Sequence, residues 1–173
     1  MYDARAISNY FLDRAAQRGG PLTVMTLLKI LYFAHAWFLA KNQKPLIAQP
    51  FEAWQYGPVN RVVYDQFKDH GRKPIEKRAI SLDPILGEFV DTAYKFDSDT
   101  EEFLAHIFDY YSQFHPYKLS DLTHEAGGPW DRIWSEAEKR AVPGMVIPNE
   151  TIAAWFATKG GVSWTNQERR FSQ

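Results

Sequence analysis

The sequence predicts a mainly α-helical fold, a compact multi-helix domain around a buried central helix with a small antiparallel β insert. Apolar residues recur at helical spacing in several separate segments of the 173-residue chain. The segment 24–42, VMTLLKILYFAHAWFLAKN, is apolar on nearly every side, which is typical of a helix surrounded by other helices. Extended patterns are confined to FEAW and RKPIEKRAI, so we expect a sheet of only two or three strands.

The first two helices have recognisable ends. Residues 3–18 place Ile7 and Phe11 on one face and charged residues on the other, and Gly19 follows as a terminator. Thr23 is the predicted N-cap of the central helix, because its side-chain oxygen can accept a hydrogen bond from a free N–H of the first turn.

The central segment is long enough to raise the question of a membrane span. Such a span needs about 18 or more uncharged apolar residues, and Lys29 and His35 interrupt this run. The amino terminus, MYDARAISNYFLDR, opens with an acid and an amphipathic pattern, whereas a secretory signal has a basic start and an apolar run. We therefore expect a cytoplasmic protein that does not use the membrane.

The β insert follows Pro45. FEAW alternates between apolar and polar residues and forms the first expected strand, and RKPIEKRAI forms the second. Between them, residues 58–70 show helical spacing, with Val63 and Phe67 facing inward and Gly71 as the terminator.

The second half of the chain carries five further helical patterns. Proline at a first helical position and the capping-box sequence SDTE mark several of their starts. The expected starts are Asp83, Ser98, His115, Pro129 and Pro148. We expect one domain over residues 1–159, and a flexible tail over residues 160–173, where GGVSWTNQERRFSQ has no periodicity.

Composition excludes several classes of site. Cysteine is absent, so disulfides, thiolate nucleophiles and Cys-based zinc sites are excluded. Metal-binding His-Glu-x-x-His, phosphate-loop and Gly-x-Ser-x-Gly patterns are absent as well, and we expect neither cofactor nor metal. The net charge of −1 gives no basic excess for binding a phosphate backbone, so we do not expect nucleic acid as a partner.

Two Gly-Pro elements, YGPV and GGPW, are interpreted as sharp corners at which a new helix begins. Near them lie acid–base residues that keep a second interpretation open, a small hydrolase using His124 with Glu52 or Asp121. A deep cleft joining these groups would favour that enzyme. A third interpretation, a nucleic-acid-binding autoregulator, requires Arg and Lys to gather into one stripe.

Four segments resemble, in order and spacing, the Panacea antitoxin domain, also called the SocA-like or GepA phage-associated domain. They are ISNYFLDRA, LTVMTLLKILYFAHAWFLAKNQKPLI, FEAWQYGPVNRVVYDQFKDHGRKPI and LSDLTHEAGGPWDRIW. The similarity runs from about Ile7 to Trp134. Two departures affect local packing: Gly128 stands where relatives often carry Ser, and Leu28 where Gln is common.

The resemblance implies a bacterial or prophage antitoxin that neutralises a toxin, encoded by an adjacent gene, through direct binding and without chemistry of its own. In some relatives the antitoxin also delivers its toxin to a cytosolic AAA+ protease, which would be a second partner. The family-like positions are Lys29, Tyr32, His35, Trp37, Phe51, Glu52, Trp54, Gly57, Pro58, Thr123, His124, Pro129 and Trp130.

Aromatic and arginine side chains are the usual anchors of protein interfaces. We therefore expect partner contacts at such residues around the two corners and in the tail, which would act as an arm that orders on the partner. The candidates are Trp54, Tyr56, Arg61, Tyr64, His124, Trp130, Trp164, Arg169 and Phe171.

Overall fold

Seven α-helices and five short strands make up the part of the chain that the computed structural model describes, residues 1–140 and 145–159. The predicted mainly α architecture with a small antiparallel sheet is confirmed. The helices are α1 (Ala4–Gln17), α2 (Val24–Asn42), α3 (Arg61–Phe67), α4 (Ser98–Tyr111), α5 (Pro116–Thr123), α6 (Pro129–Arg140) and α7 (Asn149–Thr158). The strands are β1 (Phe51–Trp54), β2 (Gly57–Asn60), β3 (Ile80–Leu82), β4 (Phe89–Asp91) and β5 (Met145–Ile147).

Both predicted helix starts near the amino terminus are confirmed. Asp3 caps α1 by accepting a hydrogen bond from the backbone N–H of Arg5, and Thr23 caps α2 by accepting from that of Thr26. The caps satisfy backbone donors that have no partner inside the helix, which is why these short polar residues set the boundaries.

Helix α2 buries 14 of its 19 residues and contacts α1, α3, α4, α5, α7 and β2. By length and composition alone it could cross a membrane, and 72% of the window that meets this test is buried inside the protein. A helix buried in a protein core meets the same criteria of length and composition. Burial of this helix is what brings Lys29 and His35 into the interior.

The three-stranded sheet has the order β2-β1-β5, and both pairings are antiparallel. The observed sheet differs from the predicted one in two respects. Residues 58–60 form β2, so α3 begins only at Arg61, with the Asn60 side chain accepting a hydrogen bond from the N–H of Val63 as its cap. RKPIEKRAI contributes only Ile80 to a strand, and β5 takes the place beside β1 that this segment was expected to fill.

The prediction of a helix starting at Asp83 is wrong. Strands β3 and β4 pair there as a hairpin, with Leu82 opposite Phe89. The Asp83 carboxylate accepts hydrogen bonds from the N–H groups of Ile85 and Leu86 at 2.8 and 3.0 Å. The Asp83 N–H donates to the carbonyl oxygen of Glu88 at 2.8 Å, which closes a hairpin turn in place of a continuing helix.

The remaining helices agree with the sequence patterns to within a residue or two. The cap of α4 is Asp97 and not Ser98, because the Asp97 carboxylate accepts hydrogen bonds from both the N–H and the hydroxyl of Thr100. Helices α5, α6 and α7 begin at Pro116, Pro129 and Asn149. The predicted tail lies outside the described residues.

Candidate partner-binding site

The turn between β1 and β2 forms a corner that presents an aromatic ring to solvent. Gln55 and Tyr56 connect the paired residues Trp54 and Gly57, and the Tyr56 side chain is 64% exposed. Its carbonyl oxygen accepts a hydrogen bond from Ser120 Oγ of α5 at 3.2 Å. This bond fixes the backbone beneath the exposed ring.

Gly57 lies where the corner meets α2 and α5. Its φ of +101° belongs to a region that residues with a side chain rarely adopt. A Cβ at this position would lie 2.6 Å from Lys29 Nζ and 2.6 Å from Thr123 Oγ1. Only glycine therefore allows the three elements to approach this closely, and all three residues are among the family-like positions.

Lys29 is buried beneath the corner, with 2% of its surface exposed. Its Nζ donates a hydrogen bond to the carbonyl oxygen of Pro58 at 3.1 Å, and in the described part of the chain it has no ion-pair partner. Burial removes water from the ammonium group and lowers the pKa of Lys29 to about 7. The lysine is thus only partly protonated near neutral pH.

Replacing Lys29 with Met should change how stability depends on pH. An unfolded lysine has a pKa of about 10.4. As pH falls from about 10.4 to about 7, the unfolded chain takes up a proton that folded Lys29 does not, so the free energy of unfolding decreases. The steepest slope expected from one such group is about 1.4 kcal/mol per pH unit. Urea unfolding of the parent and of Lys29→Met between pH 7 and pH 10 measures the free energy of unfolding at each pH. The same pH dependence in both proteins would contradict the prediction.

A stack of rings lies next to the corner. The indole of Trp130 packs against the His124 imidazole at a centroid distance of 3.8 Å and against Trp134 at 5.6 Å. Trp130 Nε1 donates a hydrogen bond to the carbonyl oxygen of Trp54 at 2.8 Å, which joins α6 to β1. Trp130 is 7% exposed, so in this structure its ring serves the scaffold.

His124 ends α5 and has a buried Nε2 without a hydrogen-bond partner. Loss of water and the nearby Lys29 ammonium lower its pKa, and Asp121 and Asp131 oppose this effect. The imidazole is therefore neutral at physiological pH, which suits stacking on Trp130.

Glu52 lies on the same face of β1 as Trp54, because alternate residues of a strand share a face. Its Oε2 accepts a hydrogen bond from Trp54 Nε1 at 2.8 Å and lies 3.9 Å from Arg61 Nη1, and the Trp54 ring packs edge to face on Tyr64 at 4.9 Å. The structure thus gathers Trp54, Tyr64 and Arg61 around one carboxylate. Of these, Arg61 is exposed and the two rings are half-buried.

The acid–base pairs required for the hydrolase interpretation are not assembled. Glu52 is engaged by Trp54 and Arg61. Within the described residues, no side-chain hydrogen bond joins His124 to the carboxylate of Glu52 or Asp121; His124 contacts Asp121 only through the backbone N–H of the helix end. A group of three or more His, Asp or Glu residues able to hold a metal is likewise absent from residues 1–140 and 145–159.

Three arginines of the described residues are paired with carboxylates, which does not favour the free basic stripe expected of a nucleic-acid module. Arg14 and Arg18 both pair with Asp109, and Arg78 pairs with Asp13 and Asp91. Neighbouring carboxylates therefore oppose the positive charge of these three side chains.

The β3–β4 hairpin is a second candidate surface that the sequence patterns missed. Paired residues of antiparallel strands share a face, and one face of this hairpin carries exposed Ile80, Leu82 and Phe89. Ile85 and Leu86 at the tip are 91% and 64% exposed. The missed signal was the turn residues Asp83, Pro84 and Gly87 between two short segments, which is typical of a hairpin.

Of the predicted contact residues, the structure brings together Trp54, Tyr56, Arg61 and Tyr64, and it places His124 and Trp130 directly behind them through the Trp54 carbonyl. Their role in partner binding stays a prediction. The remaining candidates, Trp164, Arg169 and Phe171, lie outside the described residues.

Comparison with known proteins identifies related sequences. A model of the antitoxin SocA-like, Panacea domain matches residues 27–131, which include Lys29, Gly57, Thr123 and Trp130. Antitoxin SocA from Caulobacter vibrioides strain NA1000 is 39% identical over 131 residues, covering 76% of this chain and 70% of that protein. No solved structure matches. The chain therefore belongs to the SocA-like, Panacea-domain antitoxin family.

Proposed function

We propose that this protein is a cytoplasmic antitoxin that neutralises a cognate protein toxin by binding it directly, without catalysis. Membership of the SocA-like family supports an antitoxin role and, in general terms, a toxin as partner. The unassembled acid–base pairs around Glu52 and His124 support a binding function over hydrolysis.

The main support for direct binding is the exposed apolar face of the β3–β4 hairpin. Contiguous exposed apolar surface on a monomer commonly marks an interaction site, because leaving it in water is unfavourable. Leu82 and Phe89 lie opposite each other on that face and are 55% and 68% exposed.

The hairpin is held in place, which favours binding. Asp83 orders its tip, and Arg5 Nη1 and the Gln66 side chain bond the carbonyl and N–H groups of Ile80. An apolar surface that is already ordered loses less conformational entropy on association. We infer that the toxin covers this face.

The β1–β2 corner would supply a second contact. Tyr56 offers an exposed ring on a fixed backbone, and Arg61 offers an exposed guanidinium beside it on α3. Residues of these types are the usual anchors of an interface. The tail residues Trp164, Arg169 and Phe171 would add an arm.

Two features of the partners rest on the family resemblance alone. The toxin is proposed to be the product of an adjacent gene. Delivery of the captured toxin to a cytosolic AAA+ protease would be a second step, in which the antitoxin acts as an adaptor.

Co-expression with the product of the neighbouring gene should restore the growth of cells that this product inhibits. The two proteins should co-purify, and Tyr56→Ala should weaken the complex by about 1–2 kcal/mol, or roughly tenfold in Kd, because an exposed ring on a fixed backbone is lost. Growth assays with pull-down and calorimetric titration measure both effects.

Growth that returns without a complex and without loss of the toxin would contradict direct neutralisation. Tyr117→Ala is the matched control, since Tyr117 is 59% exposed on α5 and lies outside the predicted contact set.

A further inference from the structure

A cavity of about 360 Å³ opens beside the β1–β2 corner. Its size is within the range of small-ligand sites, about 300–1,000 Å³. One wall comes from the start of α2 and the other from the corner and α3. The lining residues are Val24, Met25, Leu28, Lys29, Trp54, Gln55, Tyr56, Val59, Tyr64, Lys68 and Gly71.

Among the described residues, the lining combines an apolar and aromatic wall with two positive charges. Trp54, Tyr56 and Tyr64 supply the rings, Lys29 and Lys68 are the charged residues, and none of the described carboxylates lines the cavity. Lys68 at the surface is already paired with Asp65 at 3.0 Å. The unpaired cation of the cavity is therefore Lys29.

Lys29 differs from the other cations because it is almost fully buried and has only one hydrogen bond. A lysine ammonium has three donors, and in the described part of the chain only the carbonyl oxygen of Pro58 accepts from it. A buried charge without a counter-ion is unfavourable unless a partner compensates for the lost water. An anionic group entering the cavity would supply that partner.

We propose that this cavity binds a carboxylate attached to an aromatic or branched apolar group, with the carboxylate on Lys29 Nζ and the apolar group against Trp54, Tyr56 and Tyr64. Two sources have this chemistry, a small aromatic carboxylic acid and the C-terminal carboxylate of a polypeptide that ends in an aromatic residue. The site shares Tyr56 with the proposed toxin contact at the corner, but Lys29 is what recognises its ligand, so binding of the probes is measured without the toxin and can succeed or fail separately from toxin binding.

Isothermal titration of the whole protein tests the site with two matched pairs of probes. The first pair is 3-phenylpropionate and 3-phenylpropionamide, and the second is acetyl-Gly-Gly-Phe with a free or an amidated carboxyl terminus. We expect each acid that binds to do so at least tenfold more tightly than its amide, because a charge-assisted bond to a buried group is lost in the amide. A peptide acid at least tenfold tighter than 3-phenylpropionate identifies a polypeptide terminus as the ligand, and the reverse order identifies a small acid.

Two variants and one control locate the bound group. Lys29→Met should abolish the preference for acid over amide, whereas Lys95→Gln, at an exposed lysine outside the cavity, should change the Kd by no more than about threefold. Met25→Trp keeps the lysine but narrows the cavity one helical turn away, and it should weaken binding of all four probes.

Equal binding of acids and amides, no binding of any probe, or an unchanged preference in Lys29→Met would overturn the proposal. If Lys29→Met does not fold, the Met25→Trp variant tests the proposal instead. Acids that bind Met25→Trp as tightly as the parent protein would also overturn the proposal.

Discussion

Gly57→Ala should lower the free energy of unfolding by about 3 kcal/mol, because the substitution combines backbone strain with overpacking. The φ of +101° is unfavourable for alanine, and the new Cβ would lie 2.6 Å from both Lys29 Nζ and Thr123 Oγ1. For a domain of this size the loss corresponds to a fall in Tm of roughly 6–12 °C. Chemical and thermal unfolding measure the change.

Gly19→Ala provides the matched control. Its φ is +70°, it follows the end of α1, and a Cβ there would meet no atom within 4 Å, so only the backbone cost applies. That cost is about 1 kcal/mol. Equal losses in the two variants would show that close approach at Gly57 contributes nothing to the stability of the corner.

Replacing Leu82 and Phe89 together with Ser should weaken toxin binding by about 100-fold and prevent rescue of growth. Each side chain is an exposed apolar group on the face that we propose the toxin covers. Truncation of two interface anchors typically removes about 2–4 kcal/mol. Because both residues are exposed, the free energy of unfolding should change by no more than about 1 kcal/mol. Titration with the toxin, run beside urea unfolding, separates the two effects.

Val146→Ser is the control for the hairpin variant, because Val146 is a 51% exposed strand residue in the other sheet. It should leave toxin affinity unchanged. A hairpin variant that binds as tightly as the parent would exclude this face from the interface and leave the corner and the tail as the remaining candidates.

The sequence was most informative where structure is decided locally. Caps such as Asp3 and Thr23 and prolines such as Pro116 and Pro129 act within a single helical turn, so α1, α2, α5 and α6 could be placed from the residues alone. The family was also evident in the sequence, because its motifs are short, ordered and dense in aromatic residues.

Pairing between distant segments was not predictable in the same way. β5 is three residues long and joins β1 from about 90 positions away in the chain, so its own sequence contains no pattern long enough to identify it. The segment starting at Asp83 has apolar residues that fit a helix as well as a hairpin, and the Asp83 turn together with contacts to Arg5 and Gln66 favoured the hairpin. Short apolar runs are ambiguous until their partners are known.

By itself, the sequence determined that this protein is a mainly helical member of an antitoxin family, because helical periodicity, capping and family motifs are properties of contiguous residues. Only the tertiary structure decided that Lys29, Gly57 and Thr123 meet beneath one corner and that an apolar hairpin face is left uncovered. Both features depend on which surfaces pack together. Burial of α2 draws Lys29 away from water, and the absence of a side chain at Gly57 lets β2 and α5 close over it.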